Sequence, residues 1–465
     1  MRKQADKKWR LLLVGAVSAA AFLAGYGISG AETINGALVK AYQSNPDLNA
    51  QRAGLRATDE NVARAKAGYR PSINATASVG RSFTNYKRPG LDSSTDTYLS
   101  GRSIGLEIDQ TIFDGFKTYN SVKQAESQVL STRESLRNEE QTTLFNAAQA
   151  YMNVLRDTAI LNLNRNNVEV LQEQLRQTTD RFNVGEVTRT DVAQAEASLA
   201  GARSQVSAAE ANLSSSLATY RQVIGEEPRK LAPGRPLDKL LPKRSDAALN
   251  IALQEHPAIV AAMHAVDASE LQVKVAEADF LPTLGVSGTV RDYRSNTYVG
   301  DKGLNASIVA QLKVPIYQGG ATSASTRQAK ETVGQIRLQA DSIRDQVRAA
   351  VISAWGQLEA AKAQITAYQA QVNANEVALN GVREEARVGQ RTTLDVLNAQ
   401  QTLLNSRVLL ITAQRDRIVA SYAVVQAMGR LTARYLALDV AHYDPSVHYD
   451  QIKDSWGGIM TPDGK

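Results

Sequence analysis

Apolar residues recur along this chain with two periods. From Val122 the repeating positions step by three and four through Ala125, Val129, Thr132 and Leu136, and the rhythm returns in Val168, Leu171, Leu175, Thr178 and Phe182. A later run, Val333, Ile336, Ala340, Ile343, Val347, Ala350 and Ala354, keeps this step, inserts four residues before Leu358, and resumes through Ala361, Ile365, Tyr368 and Val372. Such seams line one face of a helix and drive coiled-coil packing, and a four-residue insertion unwinds the coil locally. No proline interrupts 118–184 or 320–388. Each stretch therefore predicts one unbroken helix of roughly 100 Å, at 1.5 Å per residue.

Ahead of each long helix the period drops to two. Ile73, Ala75, Ala77, Val79 and Phe83 alternate with Asn74, Thr76, Ser78, Gly80 and Ser82, and Ile104, Leu106, Ile108 and Ile112 alternate with polar residues. The pattern recurs in Leu284, Val286 and Val290, then in Leu304, Ala306, Ile308, Ala310, Leu312 and Val314. Strand pairs over 72–113 and 283–316 follow, each strand having one apolar and one polar face. Each is long enough for the roughly 9 to 11 residues that a tilted strand needs to cross a bilayer. Tyr86, Tyr98, Phe113, Tyr293, Tyr298 and Tyr317 lie near the strand ends, where aromatic girdles sit. Four strands cannot close a barrel, whose smallest forms have about eight, so the chain must oligomerise, and three copies supply twelve strands. A soluble four-stranded sheet is the competing reading.

The long helices end alike. Arg181-Phe182-Asn183-Val184-Gly185-Glu186-Val187-Thr188-Arg189-Thr190-Asp191 returns as Glu385-Ala386-Arg387-Val388-Gly389-Gln390-Arg391-Thr392-Thr393-Leu394-Asp395. Glycine past a helix end and Thr-x-x-Asp at the next start mark each copy as the tip of a helical hairpin. The chain is thus duplicated, with Asn45-Pro46 matching His256-Pro257. It divides into a first repeat over 32–230, a linker at mid-height over 231–245, a second repeat over 246–430, and an equatorial segment with a tail over 431–465. A helix broken near Pro46 is expected over 33–69. Laid end to end, the returning helices 190–225 and 246–279 match their outgoing partner, and by symmetry the helix from Thr392 should meet the opening helix. Beyond Tyr443 the tail reads as loosely ordered.

Residues 1–31 read as a secretory signal, with Arg2, Lys3, Lys7, Lys8 and Arg10 ahead of an apolar run and Ser29-Gly30-Ala31 at the cleavage point. Their loss lowers the formal charge from +6 to about +2, so no nucleic-acid partner is indicated. Cysteine is absent, which excludes disulfides and a lipid anchor at the cleavage point. No later apolar run reaches the roughly 18 residues of a membrane-spanning helix, so a spanning chain must use a barrel. Gly25-x-Gly27-x-x-Gly30 matches a dinucleotide fingerprint only inside the leader. His256, His264, His442 and His448 show no ligand spacing, and no catalytic motif is present. Neither a cofactor, a metal nor catalysis is expected.

The duplicated halves, the strand pairs after Pro71 and Pro282, and the Val-Gly-x-x-x-x-x-Asp-Val tips together resemble the TolC family of trimeric outer-membrane channel-tunnels. The likeness spans nearly the whole chain beyond the leader. It implies a homotrimer in the outer membrane of a Gram-negative bacterium, with a twelve-stranded barrel in outer-membrane lipid above a helical periplasmic tunnel. It further implies a passive export duct, fed by an inner-membrane pump or ABC transporter through a periplasmic adaptor, that carries drugs, toxic compounds or a secreted protein.

Carried over by motif, the family's periplasmic gate latch falls on Thr190, Asp191 and Gln174 facing Arg391. Its entrance ring falls on Asp395, with Asn398 where the family has a second carboxylate. Adaptor docking falls on Val184, Gly185, Glu186, Val388, Gly389 and Gln390. Further departures are Ala386 at an aromatic latch position, Arg383 at an acidic one, and Glu186 and Gln390 where leucine is frequent. Asp191 and Asp395 each lie three residues after a threonine, so either can simply cap its helix. A periplasmic adaptor or a coiled-coil surface adhesin is the alternative, although an adaptor would carry one hairpin and an adhesin one strand set.

Overall fold

In a computed structural model of the chain, residues 31–87, 94–295, 299–462 and 464 are described. Residues 1–30 of the leader, Tyr298 and the side chain of Tyr86 lie outside the described residues. The elements run α1 (Ile34–Ser44), α2 (Pro46–Lys66), β1 (Ser72–Lys87), β2 (Ser94–Phe113), α3 (Lys117–Asn183) and α4 (Arg189–Ile224) through the first half. The second half repeats them as α5 (Ser245–Glu255), α6 (Pro257–Ala278), β3 (Thr283–Arg294), β4 (Lys302–Lys313), α7 (Ala321–Arg387) and α8 (Thr393–Ala427), and α9 (Pro445–Ile452) follows. The long helices α3 and α7 are 67 residues each, as the proline-free runs predict. None of the described helices is long and apolar enough to cross a membrane.

Two compact units emerge. Of the described residues, one unit comprises those up to Ser44, within Asn146–Leu237 and within Ala360–Val419; the other comprises those within Asn45–Phe145 and Asp238–Glu359 and those from Ala420 on. The second unit holds an antiparallel sheet in the order β1-β2-β3-β4, leaving β1 and β4 as open edges. Its register aligns the alternation of all four strands, because Ile73 pairs with Ile108, Leu106 with Val290, and Val290 with Ala306. One face of the sheet therefore carries an apolar band across all four strands, through Ala75, Leu106, Val290 and Ala306, with Ile308 84% exposed, while towards the far end of the strands the same face carries Arg81, Arg102, Asp292 and Arg294. The other face carries hydroxyl pairs, Ser78 with Ser103 at 2.9 Å and Thr289 with Ser307 at 2.8 Å. The first hairpin is the taller, with strands of 16 and 20 residues against 12 and 12.

The unit containing the tips is held by heptad contacts. Leu171 of α3 packs with Leu199 and Ala202 of α4 and Leu397 of α8, while Val372 and Leu379 of α7 pack with Val396 and Leu403. Farther along α7, in the other unit, Leu358 is fully buried where the heptad stutters.

Three expectations need correcting. Segment 246–279 is two helices, since His256-Pro257 breaks it as Asn45-Pro46 breaks 33–69. A proline cannot donate to the preceding turn, and the residue before it is pushed to extended backbone. Asn45 and His256 both adopt ψ of 124° and cap the next helix with their side chains. The return helices do not exchange partners between halves. Each ends at the Xaa-Pro joint of its own half: Gly225 abuts Ser44, whose hydroxyl donates to the Ile224 carbonyl at 2.9 Å, and Gly429 abuts His256. Both glycines have positive φ, and a Cβ on Gly429 would fall 2.7 Å from the His256 Cα.

The tail is the third correction, because α9 forms there, capped by Asp444 with Pro445 in its first turn. It docks on α2 through His448, whose Nδ1 lies 3.1 Å from Oδ2 of the fully buried Asp59, and Arg133 covers the Tyr449 ring at 5.1 Å. Burial pushes the Asp59 carboxyl up, and the hydrogen bond with His448 opposes it.

Candidate functional site at the hairpin tips

Each tip is built by backbone before any charge is considered. The Glu186 amide donates to the Arg181 carbonyl at 2.9 Å and the Gly185 amide to Phe182 at 2.9 Å; the Gln390 amide donates to Glu385 at 2.9 Å and the Gly389 amide to Ala386 at 3.3 Å. These paired bonds close α3 and α7 in the same way and require left-handed backbone at the next-to-last residue. Gly185 and Gly389 supply it, with φ of 81° and 79°.

The following helix then starts with a reciprocal cap. The Thr188 amide donates to Asp191 Oδ2 at 2.9 Å while the Asp191 amide donates to Thr188 Oγ1 at 3.3 Å; the equivalent distances for Thr392 and Asp395 are 2.9 and 3.2 Å. The hydroxyls also donate to the same carboxylate oxygens, at 2.7 and 2.8 Å. The Thr188 side chain holds the Asp191 carboxyl below its ordinary value, and the Thr392 backbone amide does the same for Asp395. Both aspartates are thus caps, and both are ionised at neutral pH.

The charges differ between tips. Arg181 Nε lies 3.0 Å from Glu186, whereas Arg391 Nε lies 2.8 Å from Glu385. Glu385 occupies the position of Arg181, and Arg391 stands one residue beyond the counterpart of Glu186, so a similar clamp across the turn is built with reversed polarity. The two clamps escaped sequence reading, although opposite charges five and six residues apart across a glycine were there to be seen. Within one chain Asp191 and Arg391 are not brought together, since each is held by its own turn. Gln174 lines a groove of about 510 Å³ with Arg181, Arg383, Ala386 and Val396, facing the second hairpin. Thr190 and Asn398 are exposed, and Val184 and Val388 project to 72% and 73% exposure. Apolar side chains held out by rigid turns are available to a partner. No cluster of His, Cys, Asp or Glu among the described residues could hold a metal ion.

The comparisons with known proteins decide the family. Residues 37–226 and 248–430 match the family described as outer membrane efflux protein, split at the linker between the halves. The chain belongs to that family. This efflux protein is 46% identical to the outer membrane efflux protein BepC of Brucella suis biovar 1 (strain 1330), over 97% of both chains. It is 28% identical to the outer membrane protein TolC of Escherichia coli (strain K12), covering 91% of this chain and 89% of that one. Its fold matches the outer membrane protein VceC of Vibrio cholerae with a TM-score of 0.72 at 20% identity, over 85% of this chain and 96% of that one. The protein is an outer-membrane export duct of the TolC family, and that family is one of channels. The fold, mainly helical with four antiparallel strands, agrees with the sequence reading.

Proposed function

We propose that three copies close a twelve-stranded barrel through which small toxic molecules leave the cell, delivered by an inner-membrane pump and a periplasmic adaptor. The observation that carries this reading is the sheet, which presents an exposed apolar band across all four strands and leaves β1 and β4 as its edges. In a bilayer each unpaired backbone group costs several kcal/mol, so both edges must find strands, and β4 of one copy pairs with β1 of the next. Small molecules are favoured over a secreted protein because the relative at 46% identity is named an efflux protein.

The repeats then divide the labour, with the strand pairs in lipid, 231–245 and the segment after 430 at mid-height, and the tips at the periplasmic entrance. Asp191 and Arg391 from facing coils latch that entrance, supported by Thr190 and Gln174. Each must leave its local partner partly free to do so. Asp395 from three copies forms the acidic ring, and Asn398 adds none, which leaves three carboxylates. Val184, Gly185, Glu186, Val388, Gly389 and Gln390 offer the adaptor its docking surface. In detergent, light scattering and an unheated gel should give a trimer that becomes a monomer on boiling. A folded, detergent-solubilised monomer carrying the sheet would overturn the reading.

A further inference from the structure

Beyond α9 the chain carries large apolar side chains that enter neither unit's core. Trp456 is 76% exposed, Ile459 99% and Met460 79%. Trp456 and the two residues before it are nevertheless held in a fixed place. Lys66 pairs with Asp454 at 2.7 Å, and the Arg70 guanidinium donates to the carbonyls of Ser455 and, at 3.4 Å, of Asp454. The same guanidinium lies 4.7 Å from the centre of the Trp456 ring. Gly458 follows with φ of 111°, a conformation that lets the chain turn directly after the tryptophan.

What matters is where Arg70 stands. It precedes the first residue of β1, Ser72, by two positions and the first residue of the apolar face, Ile73, by three. At about 3.3 Å per residue, Arg70 is within roughly 10 Å of the start of that face. Tyr69, Phe113, Phe116 and Tyr317, at this same end of the strands, are exposed as well. A tryptophan has an apolar body and one N–H donor, the combination that settles at the boundary between headgroups and acyl chains. Three apolar side chains are far too few for a protein interface, which takes about 20 to 30 residues a side.

We propose that residues 456–460 are an interfacial anchor that inserts into the inner leaflet of the outer membrane beside the periplasmic rim of the barrel, its ligand being phospholipid. The arginine holds the ring at the membrane boundary, and the glycines let Ile459 and Met460 enter beside it. The proposal rests on the barrel reading, because the rim defines the depth.

Outside the leader the only tryptophans are Trp355 and Trp456, so Trp355→Phe leaves a single emitter. The trimer carrying this change is reconstituted in phosphatidylcholine vesicles with or without bromine on the acyl chains. At the roughly 5 to 10 Å depth of an interfacial segment, Trp456 should lose about half its emission to the brominated lipid. If Trp355→Phe does not fold, the difference between wild type and Trp456→Phe reads the same signal. A companion, Trp355→Phe with Trp456→Phe and Ile308→Trp, reports the barrel face. Quenching of the Ile308→Trp companion alone overturns the anchor, whether Trp456 then emits as a wet or as a protein-covered ring. Quenching of neither overturns the barrel reading and the anchor with it.

Discussion

The two halves of the chain make the same turns from different side chains. At the tips the backbone bonds, the left-handed glycine and the threonine-aspartate cap coincide to within a few tenths of an ångström. The ion pair across the turn is inverted, arginine first in Arg181–Glu186 and glutamate first in Glu385–Arg391. At the helix joints the same division appears, since Asn45 and His256 both cap a helix starting at proline but only one can titrate. Duplication has preserved what the backbone requires. It has left free the charges, through which the halves can differ in function.

The joints give the largest expected difference. Burial first, and then the nearby Arg137, lower His256 from 6.5 to about 4, while Asn45 holds its cap at any pH. A base with a depressed folded value takes up its proton more readily unfolded. Stability is therefore full above pH 6.5, declines as pH falls, and is fully reduced below about 4. At 1.36 kcal/mol per unit the loss is about 3 kcal/mol. The melting temperature of wild type should fall across this window, and His256→Asn, which copies the first joint, should flatten the curve. Parallel curves for the two proteins would show that the second joint is no more acid-sensitive than the first.

That joint also shows where sequence reading stopped. The unbroken α3 and α7 were legible because proline is absent and a three-four rhythm is present, and the strands because their alternation is clean. His256-Pro257 was visible as the partner of Asn45-Pro46, yet an apolar sequence on both sides of it read as one helix. The start of α9 was marked by Asp444-Pro445-Ser446, a capping residue followed by proline. Its docking was not legible, because Asp59 and His448 meet only in the folded chain. At the tips the caps were predicted by spacing. The clamps were not, since their meaning depends on a turn that folds five residues back on themselves.

Removing the caps tests the part of the comparison in which the halves agree. Thr188→Ala and Thr392→Ala should each destabilise the first turn of the following helix by about 1 kcal/mol. Amide exchange at α4 and α8 should accelerate by the same factor, near fivefold, in both variants. Unequal acceleration would mean that the tips differ in backbone as well as in charge.

The smallest energies carry the sharpest distinction. Arg181 and Arg391 each hold one exposed glutamate, and such pairs contribute little by themselves. If Arg391 also latches Asp191 of a facing coil, it has a partner outside its own tip, whereas the carboxylates near Arg181, Glu186 and Asp191, belong to its own tip. Arg391→Ser should then raise single-channel conductance and leak large antibiotics into the cell, and Arg181→Ser should do neither. Adding Asp191→Asn to Arg391→Ser should change little more, because the two residues share one interaction. Glu385→Gln should act in the opposite direction, freeing Arg391 for the latch and lowering conductance. In the proposed ring, Asp395→Asn should weaken cation preference in a salt gradient without altering closure. Equal responses from both arginines, or strictly additive effects of Asp191 and Arg391, would reduce both clamps to local fasteners and remove these residues from the proposed gate.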